Sequence, residues 1–246
     1  MTDTPDPPRL EAHALTVHLG GRAVVHGVDL VVRSGEVLGV FGPSGAGKST
    51  LFRALAGEER LVSGRVELDG MDVTALPLWS RARRGLGYVP QTPSVLWDLT
   101  VAQNLAVFAR LSGREPRRDL SEALGLGDRG DVAAGSLSGG ERRRLELARA
   151  LSAAPRVLLC DEPFAAIDPH GASRVAKELR TAAEGGAAVI VADHHVAQAL
   201  ELCHRAALLL DGEIAVLASP DDFGARDLVR KHYIVVSAAK GPASSP

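Results

Sequence analysis

Eight consecutive residues carry the clearest chemistry in the chain: Gly42-Pro43-Ser44-Gly45-Ala46-Gly47-Lys48-Ser49, with Thr50 next. Gly, four residues, Gly, Lys and then Ser is the spacing of a phosphate-binding loop. Its glycines let successive backbone N–H groups turn inward and form a nest for phosphate oxygens. A helix that starts at Lys48 adds its N-terminal dipole and unsatisfied N–H groups. Lys48 brings a cation to the outer phosphates, and the Ser49 hydroxyl suits Mg²⁺. A glycine-rich turn that happens to contain lysine is the plainer alternative. The strand expected before the loop and the helix after it favour nucleotide binding.

A second group follows an apolar run. Val157-Leu-Leu-Cys160 leads into Asp161-Glu162-Pro163. The carboxyl end of a buried strand is where open α/β sheets bind ligands. Asp161 is placed to hold Mg²⁺, directly or through water. Glu162 suits the orienting and polarising of a water that attacks a γ-phosphate. Neighbouring side chains of extended chain point in different directions, so the two acids can divide these tasks. Solvated acids at a strand end are the other reading. A third group, Leu137-Ser138-Gly139-Gly140-Glu141, opens a helix. Ser138 and Glu141 have capping-box spacing, so on the residues alone a helix cap and an anion site stand level.

These groups need elements to hold them. Glu36–Phe41, Gly64–Leu68, Gly85–Val89, Arg156–Cys160 and Ala187–Ala192 read as strands, and Lys48–Ala56 as a helix. Pro169–Glu184 reads as a helix with Asp168 as N-cap and Pro169 at its first position. Strand–helix–strand grammar predicts an α/β fold with a parallel sheet. Residues 9–35 and 204–218 predict antiparallel strand pairs. Residues 98–153 carry only helical patterning, over Thr100–Leu111, Arg117–Leu124 and Gly139–Ser152. They are expected to form a helical subdomain inserted into a core of 9–97 and 154–236. Arg110, Arg114, Arg117 and Arg118 read as a solvated face. The small, polar residues 237–246 are expected to be disordered.

Composition limits the function classes. Twenty-eight Lys and Arg against 30 Asp and Glu leave a net charge of −2, which argues against a general nucleic-acid surface. Only two cysteines occur, Cys160 and Cys203, without metal-ligand spacing, so a disulfide framework is excluded and a reducing cytoplasm fits. The longest apolar runs are strand-sized against the roughly 20 residues of a membrane helix. The acidic, proline-bearing start lacks the blocks of a signal peptide.

The order of motifs resembles the ATP-binding subunits of ABC transporters over roughly residues 9–236. In that resemblance Gly42–Thr50 is Walker A, and Gln91 of Tyr-Val-Pro-Gln is the Q-loop glutamine. Ser138, Gly139, Gly140 and Glu141 form the signature, Asp161 and Glu162 are Walker B and the catalytic glutamate, and Asp168 closes the D-loop. Ala192-Asp193-His194-His195 supplies the switch histidine, and alignment of the preceding strand favours His194 over His195. A plain helix-cap role for either histidine is the alternative. The resemblance implies a RecA-like P-loop NTPase core with an antiparallel β subdomain and a helical subdomain. It implies ATP and Mg²⁺ as cofactors, with Ser49, Gln91 and Asp161 around the metal. It also implies a head-to-tail homodimer in which each signature reaches the other copy's nucleotide. Integral-membrane permease subunits would be the partners, with the chain peripheral on the inner face of the cell membrane.

Within the family, Ser138-Gly-Gly-Glu-Arg-Arg-Arg144 and Asp161-Glu-Pro-Phe164 are most similar to the lipopolysaccharide-export group. Branched-chain amino-acid importer ATPases are next, and soluble ATPases of iron–sulfur assembly scaffolds are the reading from another class. Two positions depart from the pattern. Leu19, beside His18, stands where an adenine-stacking aromatic is usual. The aromatic after the Q-loop, Trp97 of Val95-Leu96-Trp97-Asp98, is displaced by one position.

Overall fold

A computed structural model of the chain describes residues 7–115 and 117–232. The tail expected to be disordered, 237–246, lies outside the described residues. Strands β1 (Pro8–Leu19) and β2 (Arg22–Arg33) form an antiparallel hairpin. Next come β3 (Val37–Phe41), α1 (Lys48–Ala56), β4 (Ser63–Leu68) and β5 (Met71–Asp72). After α2 (Leu78–Ala82) and β6 (Leu86–Val89), the chain turns to helices α3 (Val101–Leu111), α4 (Arg118–Ala123) and α5 (Gly139–Ser152). It then returns to strand–helix alternation with β7 (Val157–Asp161), α6 (Pro169–Glu184), β8 (Ala188–Ala192) and α7 (Val196–Leu200). The hairpin of β9 (Arg205–Leu210) and β10 (Glu213–Ala218) precedes α8 (Pro220–Ala225) and α9 (Asp227–His232).

Two sheets result. The smaller is antiparallel, in the order β2-β1-β4-β5. The larger runs β10-β9-β3-β8-β7-β6, parallel from β9 to β6 with β10 antiparallel at its edge. Residues 204–218 do pair antiparallel, yet β9 also pairs in parallel with β3 and so belongs to the core sheet. Its four central residues, Ala206–Leu209, are fully buried, which only a strand covered on both faces can be.

Every residue of β3, β7 and β8 is buried. Alternation sends their side chains to two separate cores. Val37, Phe41, Leu158, Cys160, Val189 and Val191 pack on the side of α5 and α6. Leu38, Val40, Val157, Leu159, Ala188 and Ile190 pack on the side of α1 and the small sheet. Burying each such Val, Leu or Ile contributes roughly 1.5–3 kcal/mol, so these strands form a rigid floor. The candidate site residues sit where their carboxyl ends emerge.

Candidate functional site

The loop after β3 has the geometry a phosphate nest requires. Gly45 and Gly47 have φ of 82° and 102°, a region closed to most side chains. At Gly47 a Cβ would stand 2.7 Å from the Val24 carbonyl oxygen, and at Gly42 only 2.3 Å from that of Leu209. Backbone from two other strands thus forces glycine at both ends of the motif. Lys48 is buried and donates from Nζ to the carbonyls of Gly42 at 2.6 Å and Pro43 at 3.1 Å, which holds the loop closed. Burial lowers the pKa of this ammonium, against the fields of Asp161 and Glu162. A new anion therefore meets a cation that gains from being neutralised.

A cleft of about 310 Å³ opens over the loop, lined by Val24, Ser44, Gly45, Gly47, Lys48, Ser49, Thr50, Gln91, Glu162 and His194. Glu162 Oε1 is its centre. It accepts from Gln91 Nε2 at 2.8 Å and lies 2.6 Å from His194 Nε2. Gln91 therefore turns its carbonyl oxygen toward the Ser49 hydroxyl, 3.5 Å away, the outer limit of a hydrogen bond. Glu162 has φ of 62°, rare for a side-chain-bearing residue, and its N–H donates to Ala192 O at 2.6 Å. Backbone strain at this one residue redirects the chain out of β7 and aims the carboxylate into the cleft. The two histidines face different partners. His194 faces Glu162, whereas His195 is the N-cap residue of α7 and pairs through Nδ1 with the buried Asp193 at 2.9 Å.

Asp161 is almost wholly buried, and neither carboxylate oxygen has a hydrogen-bond partner. Burial raises its pKa, the nearby Ser49 hydroxyl opposes this, and the charge of Glu162 adds to the rise. Orphaned buried anionic oxygens are costly unless a cation uses them. Asp161, the Ser49 hydroxyl and Gln91 Oε1 offer oxygen donors only, a chemistry that would fit Mg²⁺. A folded-state pKa above the unfolded one favours folding at low pH, and that contribution is lost as pH rises through the raised value. An ionised Asp161 therefore destabilises the empty fold. Asp161→Asn is expected to raise the melting temperature in EDTA while abolishing the further rise that Mg²⁺-ATP produces. A thermal melt with and without Mg²⁺-ATP checks both; a lower apo melting temperature would overturn the assignment.

Other anticipated residues lie elsewhere. Pro43 and Ala46 shape the loop from behind: Pro43 accepts from Lys48, and Ala46 O accepts from Gly212 N. Leu19 pairs with Arg22 at the tip of the β1–β2 hairpin and does not line the cleft. Val24, on β2, does line it. Nothing in the sequence marked Val24, because only the folded hairpin brings β2 over the loop. Ser138–Glu141 start α5 away from the cleft and make a full capping box there: Glu141 N donates to Ser138 Oγ, and Ser138 N to Glu141 Oε2. Asp168 caps α6, accepting from Gly171 N at 2.9 Å.

A phosphate nest at the carboxyl end of a parallel sheet, with a buried partnerless acid and a second acid aimed over it, defines a P-loop nucleoside triphosphatase. The family model described as ABC transporter matches residues 25–165. The lipopolysaccharide export system ATP-binding protein LptB of Acidithiobacillus ferridurans is 41% identical over 231 residues, 92% of this chain and 96% of that one. The chain belongs to the ABC transporter family, as one of its ATP-hydrolysing cassettes. Solved structures at lower identity share its fold. The ADP conformation of an ATP-binding cassette of an ABC transporter superposes with a TM-score of 0.81 at 24% identity, covering 93% of this chain and 99% of the other. A dimeric post-hydrolysis cassette bound to ADP and phosphate gives 0.77 at 24% identity, over 86% and 98%.

Proposed function

We propose that the chain powers an ABC transporter for lipopolysaccharide-type lipid, binding ATP at Gly42–Thr50 and hydrolysing it with Glu162. The observation that carries the ATPase reading is the convergence of Gln91 and His194 on one oxygen of Glu162 above the loop. Lys48 and the loop N–H groups would hold the phosphates, and Ser49, Asp161 and Gln91 would hold Mg²⁺, which would screen the phosphate charge. Glu162 would accept a proton from the attacking water; His194 fixes Glu162 and would stand beside a bound γ-phosphate. Leu19, at the hairpin tip and outside the cleft lining, offers a base no aromatic to stack on.

Among the described residues, the cleft is open on one side. Ser138, Gly139, Gly140 and Glu141 do not line it, which supports a head-to-tail homodimer with each signature closing on its partner's nucleotide. Asp168, at the start of α6, would lie along that interface. ATP can drive closure only by its greater affinity for the closed dimer, and cleavage of the γ-phosphate removes that difference. Residues 98–153 would then swing as a helical body and transmit closure to permease subunits. Among the described residues no helix is long and apolar enough to cross a membrane. The chain would work peripherally, on the inner face of the cell membrane, docked on subunits that do cross.

The substrate class rests on the export relative, which covers nearly the whole chain. A tagged chain isolated from membranes with its permeases and placed in proteoliposomes is expected to release lipopolysaccharide only with ATP. Permeases that respond to an amino-acid-binding protein instead, or co-purification with iron–sulfur assembly proteins, would replace this reading.

A further inference from the structure

The hydrolytic residues come from distant parts of the chain, and one helix grips the backbone around them. Arg143 on α5 is buried. Its Nε donates to Glu162 O at 3.1 Å, its second terminal nitrogen to Asp161 O, and its first to Pro90 O at 2.6 Å. That first nitrogen also pairs with Glu146 Oε2 at 2.8 Å, one turn further along α5. Glu146 Oε1 in turn accepts from Ser94 N and Ser94 Oγ. Arg149, one more turn on, donates to Ser94 O at 2.7 Å.

Gln91 is therefore bracketed, with Pro90 held by Arg143 on one side and Ser94 held by Glu146 and Arg149 on the other. The same guanidinium holds the carbonyls of both acidic residues. We propose that Arg143, braced by Glu146, is the positioning residue that keeps Glu162 in its left-handed backbone conformation and registers Gln91 against it. This rests on the reading of Glu162 as the residue that activates water. Lysine cannot replace the planar fork, because one ammonium cannot reach three carbonyls in three directions. The arrangement also has a conformational consequence. α5 begins at Ser138–Glu141, so a displacement of that helix start, as when a partner's nucleotide docks on it, moves Gln91 and Glu162 of its own chain. In the sequence, Arg143 and Glu146 show only the i, i+3 spacing of a helical ion pair.

The test uses the full chain and steady-state ATP hydrolysis. Arg143→Lys is expected to lower kcat at least about tenfold, since small misplacements of reacting groups have effects of that size or more. KM for ATP should stay within about threefold, because Arg143 lies outside the cleft. Glu146→Gln, isosteric, is expected to give a smaller loss with the same split. In a Glu162→Gln background, Arg143→Lys should cause no further loss of single-turnover hydrolysis, as coupled groups are non-additive. A native kcat for Arg143→Lys beside an inactive Glu162→Gln overturns the positioning role and leaves the ATPase reading standing. Full additivity in the double variant, or loss of folding in both Arg143→Lys and Glu146→Gln, also overturns it. Native hydrolysis by Glu162→Gln removes the ATPase assignment itself.

Discussion

Glu162→Gln is expected to slow ATP hydrolysis by roughly 10²–10⁴-fold, the usual worth of a positioned general base. That corresponds to about 3–5 kcal/mol of barrier at 1.36 kcal/mol per decade. The amide oxygen of glutamine can still accept at the place where Gln91 Nε2 and His194 Nε2 converge, so the geometry of the cleft survives. What disappears is a carboxylate able to take a proton from water. ATP binding persists without turnover, and the closed dimer should accumulate. Sizing chromatography with Mg²⁺-ATP is expected to show a shift from monomer to dimer in the variant that the native chain shows only transiently. Hydrolysis at the native rate would sink the assignment of this carboxylate.

Lys48→Ala acts one step earlier. Charge-assisted hydrogen bonds contribute about 1.5–3 kcal/mol each, and Lys48 is placed to reach more than one phosphate oxygen. The dissociation constant for ATP is expected to rise at least about 100-fold. The change also removes the two bonds from Nζ to Gly42 O and Pro43 O, so the empty loop loosens. The two effects separate in a thermal melt. Native protein at 100 times its dissociation constant gains about 2.7 kcal/mol from bound nucleotide. The variant should gain almost nothing at the same concentration. An undiminished ATP-dependent rise in melting temperature would show that Lys48 does not contact the ligand.

The two variants differ in what the sequence could say about them. Lys48 belongs to a run of eight residues whose chemistry is local. The loop backbone, the helix start and the lysine are neighbours, and their spacing alone implies a phosphate nest. The α6 cap at Asp168 and the capping box of Ser138 and Glu141 were legible for the same reason: each is a contact within three residues. Glu162 was legible as a candidate acid. Its partners were legible only through resemblance, because Gln91 is 71 positions away. The choice between His194 and His195 illustrates the limit. They are adjacent, and only the turn after β8 sends one ring to Glu162 and the other to Asp193.

Composition and spacing, by themselves, determined the chemistry available here: a cation and hydroxyl at a glycine turn, an acidic pair after an apolar strand, and alternation that demands a parallel sheet. Backbone geometry over a few residues produces those features, so contiguous sequence specifies them. The tertiary structure alone decided which groups meet. It placed Val24 rather than Leu19 over the loop and left Asp161 buried without a hydrogen-bond partner. It joined β9 to the core sheet, and it set Arg143 across Pro90, Asp161 and Glu162. Such meetings depend on strand order and on how helices pack across two cores, and no local spacing records them.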